Sequence, residues 1–120
     1  MDELQFLQSV ELMAGLDREG ARRAAMATLV TLAERVGRAG ADELAGALPG
    51  GMRESMEAAP ETAEAFDAAD FVRRTAAREG SSPDQARQHV RAVLATLKED
   101  VGAVDRLRAR LPAGYGELFV

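Results

Sequence analysis

One stretch of the chain occurs twice, and this repeat constrains the fold more than any other feature. Residues Ala27 to Gly37 read ATLVTLAERVG, and residues Ala92 to Gly102 read AVLATLKEDVG. A short loop and a short helix-forming segment follow each copy and end in Leu48–Pro49 and Leu111–Pro112. Two copies about 65 residues apart predict an internal duplication closed on itself rather than an open solenoid.

The composition favours closely packed helices. A chain of 120 residues can bury one core without metal ions or disulfides. Hydrophobic residues make up 47% of the sequence but aromatic residues only 4%, so small side chains, above all alanine, must let the helices approach each other. The sequence contains no cysteine, which excludes disulfides, thiolate metal sites and cysteine nucleophiles.

The charge pattern argues against nucleic-acid and membrane partners. The formal net charge is -5, so the field of the whole protein repels phosphate backbones. Asp2, Glu3 and Glu11 lie where a signal peptide would be basic and then apolar. No apolar run approaches the roughly 18 residues that a membrane-spanning helix needs. We therefore expect a cytoplasmic protein that binds neither nucleic acid nor membrane.

The N-terminal segment has the signals of a first helix. Asp2 and Gln5 have the spacing of a capping box, and Gly15 suits the left-handed position that closes a helix. The residues that recur at helical intervals, and are predicted to point inward, are Leu4, Phe6, Leu7, Val10, Met13 and Ala14.

Three further helices are predicted in the first half of the chain. The second is long, with Asp17 as its N-cap, and Gly37 ends it. Its inward stripe comprises Ala21, Ala25, Thr28, Leu29, Leu32 and Val36. A short third helix is capped by Asp42 and stopped by Pro49, and a weak fourth covers Met52 to Ala59.

The second half repeats this order. A fifth helix follows the N-cap Asp67 and ends before Gly80. The sixth begins at Ser82–Gln85, which combines a serine cap, a proline at the first helical position and a glutamine three residues later, and it ends at Gly102. Its stripe, Ala86, Val90, Val93, Leu94, Leu97 and Val101, reproduces that of the second helix. The seventh covers Val104 to Leu111.

We expect one all-α domain, residues 1–120, with about eight helices. It comprises two similar four-helix half-repeats, 1–59 and 68–120, and an acidic connector, 60–67, which could include a helical turn. A pseudo-two-fold relation between the halves is the natural consequence of the duplication. The apolar residues Leu118–Phe119 are expected to dock on the core, because Met52 and Met56 occupy the matching places in the first copy.

A set of apolar and turn residues resembles a known family. The set comprises Phe6–Leu7, Val10, Leu29, Leu32 and Leu48–Pro49, with the echoes Phe71–Val72, Leu94, Leu97, Leu111–Pro112, Tyr115 and Leu118–Phe119. They resemble the bacterial family called domain of unknown function 2267, over nearly the whole chain. The resemblance implies an all-helical, internally duplicated cytoplasmic protein without assigned catalytic residues. The first copy departs from the pattern at Gly50–Gly51–Met52, where the second has a tyrosine.

The residue types that carry catalysis or bind metal are sparse. His89 is the only histidine, and its helical phase places it at the boundary of the sixth helix's buried stripe. The acidic residues Glu61, Glu64, Asp67 and Asp70 are spaced by three, but no histidines accompany them as in di-metal bundles, so we assign them to capping and solubility. We interpret the arginines at 73, 74, 78, 106, 108 and 110 as solvated faces. The sequence therefore predicts no enzyme, no metal site and no cofactor.

The leading hypothesis is an interaction module that binds a protein partner or a second copy through exposed apolar edges. Met52, Met56, Tyr115 and Phe119 are the candidate contact residues, since methionine and aromatic side chains suit adaptable interfaces. Ordinary packing inside the core is the alternative for the same four residues. The alternative function is the binding of a small apolar ligand in the cleft between the halves.

Overall fold

The computed structural model describes residues 2–120, and this part of the chain is helical without any strand. The α-helices are α1 (Glu3–Ala14), α2 (Arg18–Ala45), α3 (Ala68–Glu79), α4 (Pro83–Leu97) and α5 (Val101–Ala109). Two 3₁₀ helices lie at Gly50–Met56, after α2, and at Ala113–Phe119, after α5. The described residues thus form seven helices, where the sequence predicted about eight.

The predicted helix ends are confirmed where a local signal marks them. In α1 the Gln5 N–H donates to the Asp2 carboxylate at 2.8 Å, and the Gln5 side chain accepts from the Asp2 N–H. Ser82 and Gln85 make the same reciprocal capping box at the start of α4. Gly15 and Gly80 close α1 and α3 with φ angles of 67° and 75°. These ends depend on residues three or four apart, so the sequence alone specifies them.

The predicted break at Gly37 is confirmed as a kink, but the prediction that Asp42 caps a separate third helix is wrong. Gly37 has φ 75° and ψ -175°, a conformation that is essentially restricted to glycine, so α2 kinks there. The chain then resumes the helix and continues to Ala45. Asp42 forms an ion pair with Arg38, one turn earlier, with 3.3 Å between Oδ1 and Nε. This merging of two predicted helices accounts for the lower count.

The kink in α2 also positions the segment that connects the two halves. Because the helical ladder is interrupted, the Glu34 carbonyl accepts a hydrogen bond from the Glu64 N–H at 3.0 Å. A Cβ atom at Gly37 would lie 2.7 Å from the Ala63 nitrogen, closer than real Cβ contacts come. Only a glycine therefore allows the connector to pass this close to α2.

The sixth predicted helix divides before Gly102. α4 ends at Leu97, and Asp100 then caps α5 by accepting from the Ala103 N–H at 3.0 Å. An aspartate side chain competes with the helical ladder and favours a new N-terminus, which explains the break. The chain therefore bends in two ways, by a glycine kink in α2 and by a capped break after α4.

The weak fourth helix is a 3₁₀ helix that ends at Met56, three residues before the predicted end at Ala59. Residues 60–67 contain no helical turn. The pair Gly50–Gly51, which opens the 3₁₀ helix, has low helix propensity. Pro60 cannot continue a helical ladder, so the helix does not extend into the connector.

The core is formed by the stripes that the sequence predicts. Leu29, Leu32, Leu94 and Leu97, the matching leucines of the repeated stretch, are each at most 4% exposed. α1 and α3 each pack against both α2 and α4. The C-terminal 3₁₀ helix docks on α4, and Leu118 and Phe119 are buried, which confirms their predicted docking.

We predict that Gly37→Ala destabilises the protein by roughly 2–4 kcal/mol, because the alanine would be strained at a positive φ and its Cβ would overlap the connector backbone. Urea unfolding followed by far-UV circular dichroism measures this change. Gly80→Ala is the matched control: Gly80 has the same φ of 75°, but no atom lies within 4 Å of a Cβ there. It should cost about 1 kcal/mol. Equal losses for the two variants would contradict the proposed close approach.

Candidate functional site

The four predicted contact residues lie inside the protein. Met52, Met56, Tyr115 and Phe119 are no more than 4% exposed and belong to the main core cluster. The expectation that they present exposed apolar edges is therefore wrong, and ordinary packing describes their environment. The two 3₁₀ helices that carry them turn these side chains inward, an orientation that single-sequence periodicity over seven residues does not reveal.

Tyr115 is held by a polar contact that the sequence did not indicate. Its hydroxyl donates to the Phe66 carbonyl at 2.6 Å, and its ring meets Phe71 edge-on at 5.8 Å. The Arg35 Nε donates to the same carbonyl at 2.9 Å. Burial raises the pKa of Tyr115, against the opposing effect of Arg35. Phe66 belongs to the acidic connector, and its side chain is buried between the halves.

The outer face of α1 exposes three large hydrophobic side chains, Leu4, Leu12 and Met13. Leu4 and Leu12 are 51% and 85% exposed, and Gln8 between them is also exposed. These three residues are four apart, so they form one ridge, which we call the α1 ridge. Leu4 and Met13 were predicted to point inward, but Phe6, Leu7 and Val10 alone bury the inner face and leave both of them outside.

The charges of α1 are already neutralised within the chain. The helix carries two ionisable side chains, Glu3 and Glu11. Glu3 lies 3.6 Å from the Arg22 guanidinium, and Glu11 accepts from the Arg18 Nε at 2.5 Å. The α1 ridge therefore presents neither a charge nor an unpaired carboxylate.

A shallow groove extends this apolar surface toward α4. Met13, Ala95 and the C-terminal residue Val120 line a space of about 300 Å³. Val120 is 81% exposed and Met13 is 55% exposed. Gln88 and Arg91 of α4 also line this groove, so the surface beside the α1 ridge continues across the edge of α4 as a mixed apolar and polar surface.

A large open cavity lies between the two halves of the chain. It has a volume of about 530 Å³, and Phe6 and Ala47 of the first half line it together with Leu97, Asp100 and Val101 of the second. Val101 is 68% exposed at the start of α5. The break between α4 and α5 forms one wall, so the cavity exists because the sixth predicted helix divides.

Part of the basic cluster on α3 is neutralised within the chain. Arg78 binds Glu34 through both guanidinium nitrogens, at 2.8 and 2.6 Å, and Arg74 lies 3.4 Å from the same carboxylate. The hydrogen bond from Arg78 lowers the pKa of Glu34, and the charges of Arg78 and Arg74 lower it further, although burial opposes them. Arg73 pairs with Asp70 on the same helix. The ion pairs that Arg78 and Arg74 form with Glu34 join α3 to α2.

One residue of the acidic run has the capping role that the sequence predicted, and another forms an ion pair that the sequence did not indicate. Asp67 caps α3 by accepting from the Asp70 N–H at 2.8 Å. Glu64 lies 3.6 Å from Arg74. Within residues 2–120, no group of three or more acidic or histidine side chains is placed to hold a metal ion.

His89 occupies the boundary position that its helical phase predicts, with 13% of its side chain exposed. Its Nδ1 lies 2.6 Å from Oε2 of Glu79, the last residue of α3. The sequence analysis did not pair these residues. Their ten-residue separation across a turn carries no periodic signal.

A membrane crossing has no candidate among the helices of residues 2–120, since none combines sufficient length with sufficient apolar character.

Comparison with curated proteins finds no match. A family model described as "Uncharacterized conserved protein (DUF2267)" matches residues 4–118, which is nearly the whole chain. The matched region includes the buried leucine stripes, the first 3₁₀ helix, and all but one terminal residue of α1 and of the second 3₁₀ helix. The chain therefore belongs to the DUF2267 family.

Proposed function

We propose that the protein is a non-enzymatic cytoplasmic module that pairs with a second copy of itself through the α1 ridge. The observation that carries this proposal is the character of the ridge, which is exposed, apolar and uncharged. In this chain 29% of residues are charged, so an uncharged helix face is unexpected at a solvated surface. Depletion of charge at an exposed apolar patch is typical of interface centres.

The spacing of the α1 ridge supports a second copy as the partner. A two-fold axis through Gln8 would place Leu4 of each chain against Leu12 of the other, as an isologous interface requires. Rows of residues four apart interdigitate when two helices cross at about -50°. The two Gln8 amides would then meet on the axis and can each donate and accept.

Electrostatics favour the same surface. Each copy carries a net charge of -5, so two copies repel each other over most of their surfaces. Contact through the α1 ridge opposes no like charges, because Glu3 and Glu11 are paired with arginines of α2. Four leucines per dimer would leave water, each contributing roughly 1.5–3 kcal/mol at full burial before the cost of association.

We also infer that the chain is an internal duplication with a pseudo-two-fold relation. α1 and α3 both have 12 residues, an aspartate N-cap and a left-handed glycine at the end. Each half ends in a seven-residue 3₁₀ helix that follows a proline.

Two hydroxyl pairs support the same inference. Ser9 of α1 contacts Thr96 of α4 at 2.8 Å, and Thr75 of α3 donates to Thr31 of α2 at 3.3 Å. Thr31 and Thr96 occupy the same place in the repeated stretch, and each also donates to the carbonyl four residues earlier. The first helix of each half thus makes a hydroxyl contact with the equivalent threonine of the long helix of the other half, from positions that differ by one residue in the repeat. Superposition of residues 2–56 on 67–119 tests the relation and should align Leu29 with Leu94.

A second candidate function is the binding of a small apolar ligand in the cavity between the halves. Its volume of about 530 Å³ is within the range of ligand pockets. Phe6, Ala47, Leu97 and Val101 supply apolar walls, and Thr96, Glu99 and Asp100 supply polar groups, two of them carboxylates. This candidate uses a different surface from the α1 ridge, so the two functions can be tested separately.

We predict that Leu12→Glu prevents self-association. Leu12 occurs twice in a symmetric dimer, so a loss of roughly 1.5 kcal/mol per copy weakens the dimer about a hundredfold. Sedimentation equilibrium over a wide range of protein concentrations measures this change. Val101→Glu is the matched control, since it also replaces an exposed apolar helix residue with a carboxylate but lies outside the ridge. A wild-type protein that stays monomeric at millimolar concentration would reject the proposed dimer.

We further predict that Gln8→Glu and Gln8→Lys each block self-association, because like charges would face each other across the two-fold axis. An equimolar mixture of the two variants should restore a heterodimer, in which a carboxylate faces an ammonium group. Native mass spectrometry with one variant labelled with ¹⁵N detects this species. Association of either single variant as strongly as the wild type would place the axis elsewhere.

For the cavity we predict that a small apolar ligand raises the melting temperature of the wild-type protein and of Leu12→Glu, but not of Val101→Glu. A carboxylate at the cavity wall would disfavour an apolar ligand by desolvation. A thermal-shift screen with short fatty acids and aromatic compounds provides the measurement. An equal response from Val101→Glu, or no response from the wild type, would count against this candidate.

A further inference from the structure

A buried carboxylate lies at the junction of α3 and α4. Glu79 is only 3% exposed at its side chain, although it is the last residue of a surface helix. Its Oε2 lies 2.6 Å from the His89 Nδ1 and also accepts from the Ser81 hydroxyl. Among the described residues no arginine or lysine forms an ion pair with Glu79. A carboxylate that is removed from water in this way is costly unless its surroundings compensate it.

The hydrogen bonding of Glu79 is incomplete. Oε1 is buried and receives no hydrogen bond from residues 2–120. Because Glu79 engages Nδ1, the nitrogen of His89 that remains for another partner is Nε2. A carboxylate that orients an imidazole and leaves its other nitrogen free is the arrangement that proteins use to present histidine to a ligand.

A cavity adjoins this pair. It has a volume of about 200 Å³, several times the share of one water molecule in the liquid, and its walls include Glu79, Ser81, Gln85 and His89. Arg23, near the start of α2, also lines this cavity. Arg23 is exposed, and no carboxylate of the described residues forms an ion pair with it. Its neighbour Arg22 is paired with Glu3.

We propose that this cavity binds a small oxyanion, a carboxylate or a phosphate, between the Arg23 guanidinium and the His89 imidazole. Arginine presents a planar fork of donors that matches two oxygens of such an anion. His89 adds a donor at Nε2 when the ring is protonated, and the Gln85 amide adds a neutral one. Glu79 is a positioning residue, which fixes the imidazole through Nδ1.

The balance of charge in the cavity agrees with an anion. The Glu79 carboxylate is engaged by the His89 ring and the Ser81 hydroxyl, whereas the Arg23 guanidinium has no ion-pair partner among the described residues. An unpaired cation at a cavity stands out in a protein with a net charge of -5. A metal cation has less support, since His89 and Glu79 supply only two ligands and Glu79 is already engaged.

NMR of the imidazole tests the proposal directly, because His89 is the only histidine and its ring signals are unambiguous. Sodium phosphate and sodium acetate would be titrated at constant pH, with sodium chloride matching the ionic strength. We expect a saturable shift of the His89 Nε2 and Hε1 signals with phosphate, acetate or both, and no saturable shift with chloride. The stronger of the two responses identifies the preferred oxyanion.

Substitutions separate a bound anion from a general salt effect. Arg23→Ala should weaken the response at least about tenfold, since a hydrogen-bonded charge is lost. Arg22→Ala, which removes the same charge from the neighbouring position, should retain it. Both arginines are exposed, so neither variant should unfold the protein. A linear response to all three salts, or equal responses from the two variants, would overturn the proposal.

Discussion

The kink at Gly37 is the constraint on which the arrangement of the two halves depends. It leaves the Glu34 carbonyl to be bound by the backbone of the connector and allows Ala63 to lie against α2. A few residues later, the Phe66 carbonyl receives hydrogen bonds from Arg35 and from Tyr115. The connector is therefore tied both to the long helix of the first half and to the last helix of the second. Backbone groups that would otherwise be buried without partners are satisfied by this single path.

Contacts within the chain also explain the two faces of α1. Its inner face supplies Phe6 to the core, and Ser9 contacts Thr96 of α4. Its two carboxylates are occupied by arginines of α2, which orient the helix and also remove charge from its surface. The exposed leucines are left in an uncharged setting as a consequence. A surface suited to self-association can thus arise from the contacts that hold α1 in place, and the proposed dimer would add burial to a helix that is only half covered.

The sequence predicted the fold well where the signal lies within one helical turn, and less well where two segments compete. Asp2, Ser82 and Asp67 were identified as caps because the bonds they make reach three residues ahead. The sequence could not predict that the helix resumes after Gly37, since its continuation to Ala45 depends on how the connector packs against the kink. For the candidate site, His89 was placed at the boundary of its helix, but its partner Glu79 was not recognised, because a turn between two helices brings them together.

Capping chemistry and apolar periodicity in the chain were sufficient to locate the starts of four helices, α1 to α4, and the buried leucines of the repeated stretch, since both depend on near neighbours and on a fixed helical period. Long-range packing settled the rest. It turned Met52 and Tyr115 inward and left Leu12 outside, although all three are large side chains with apolar surface. Hydrophobicity indicates that a residue prefers to leave water, but the position of every other helix determines which side chains find room to do so.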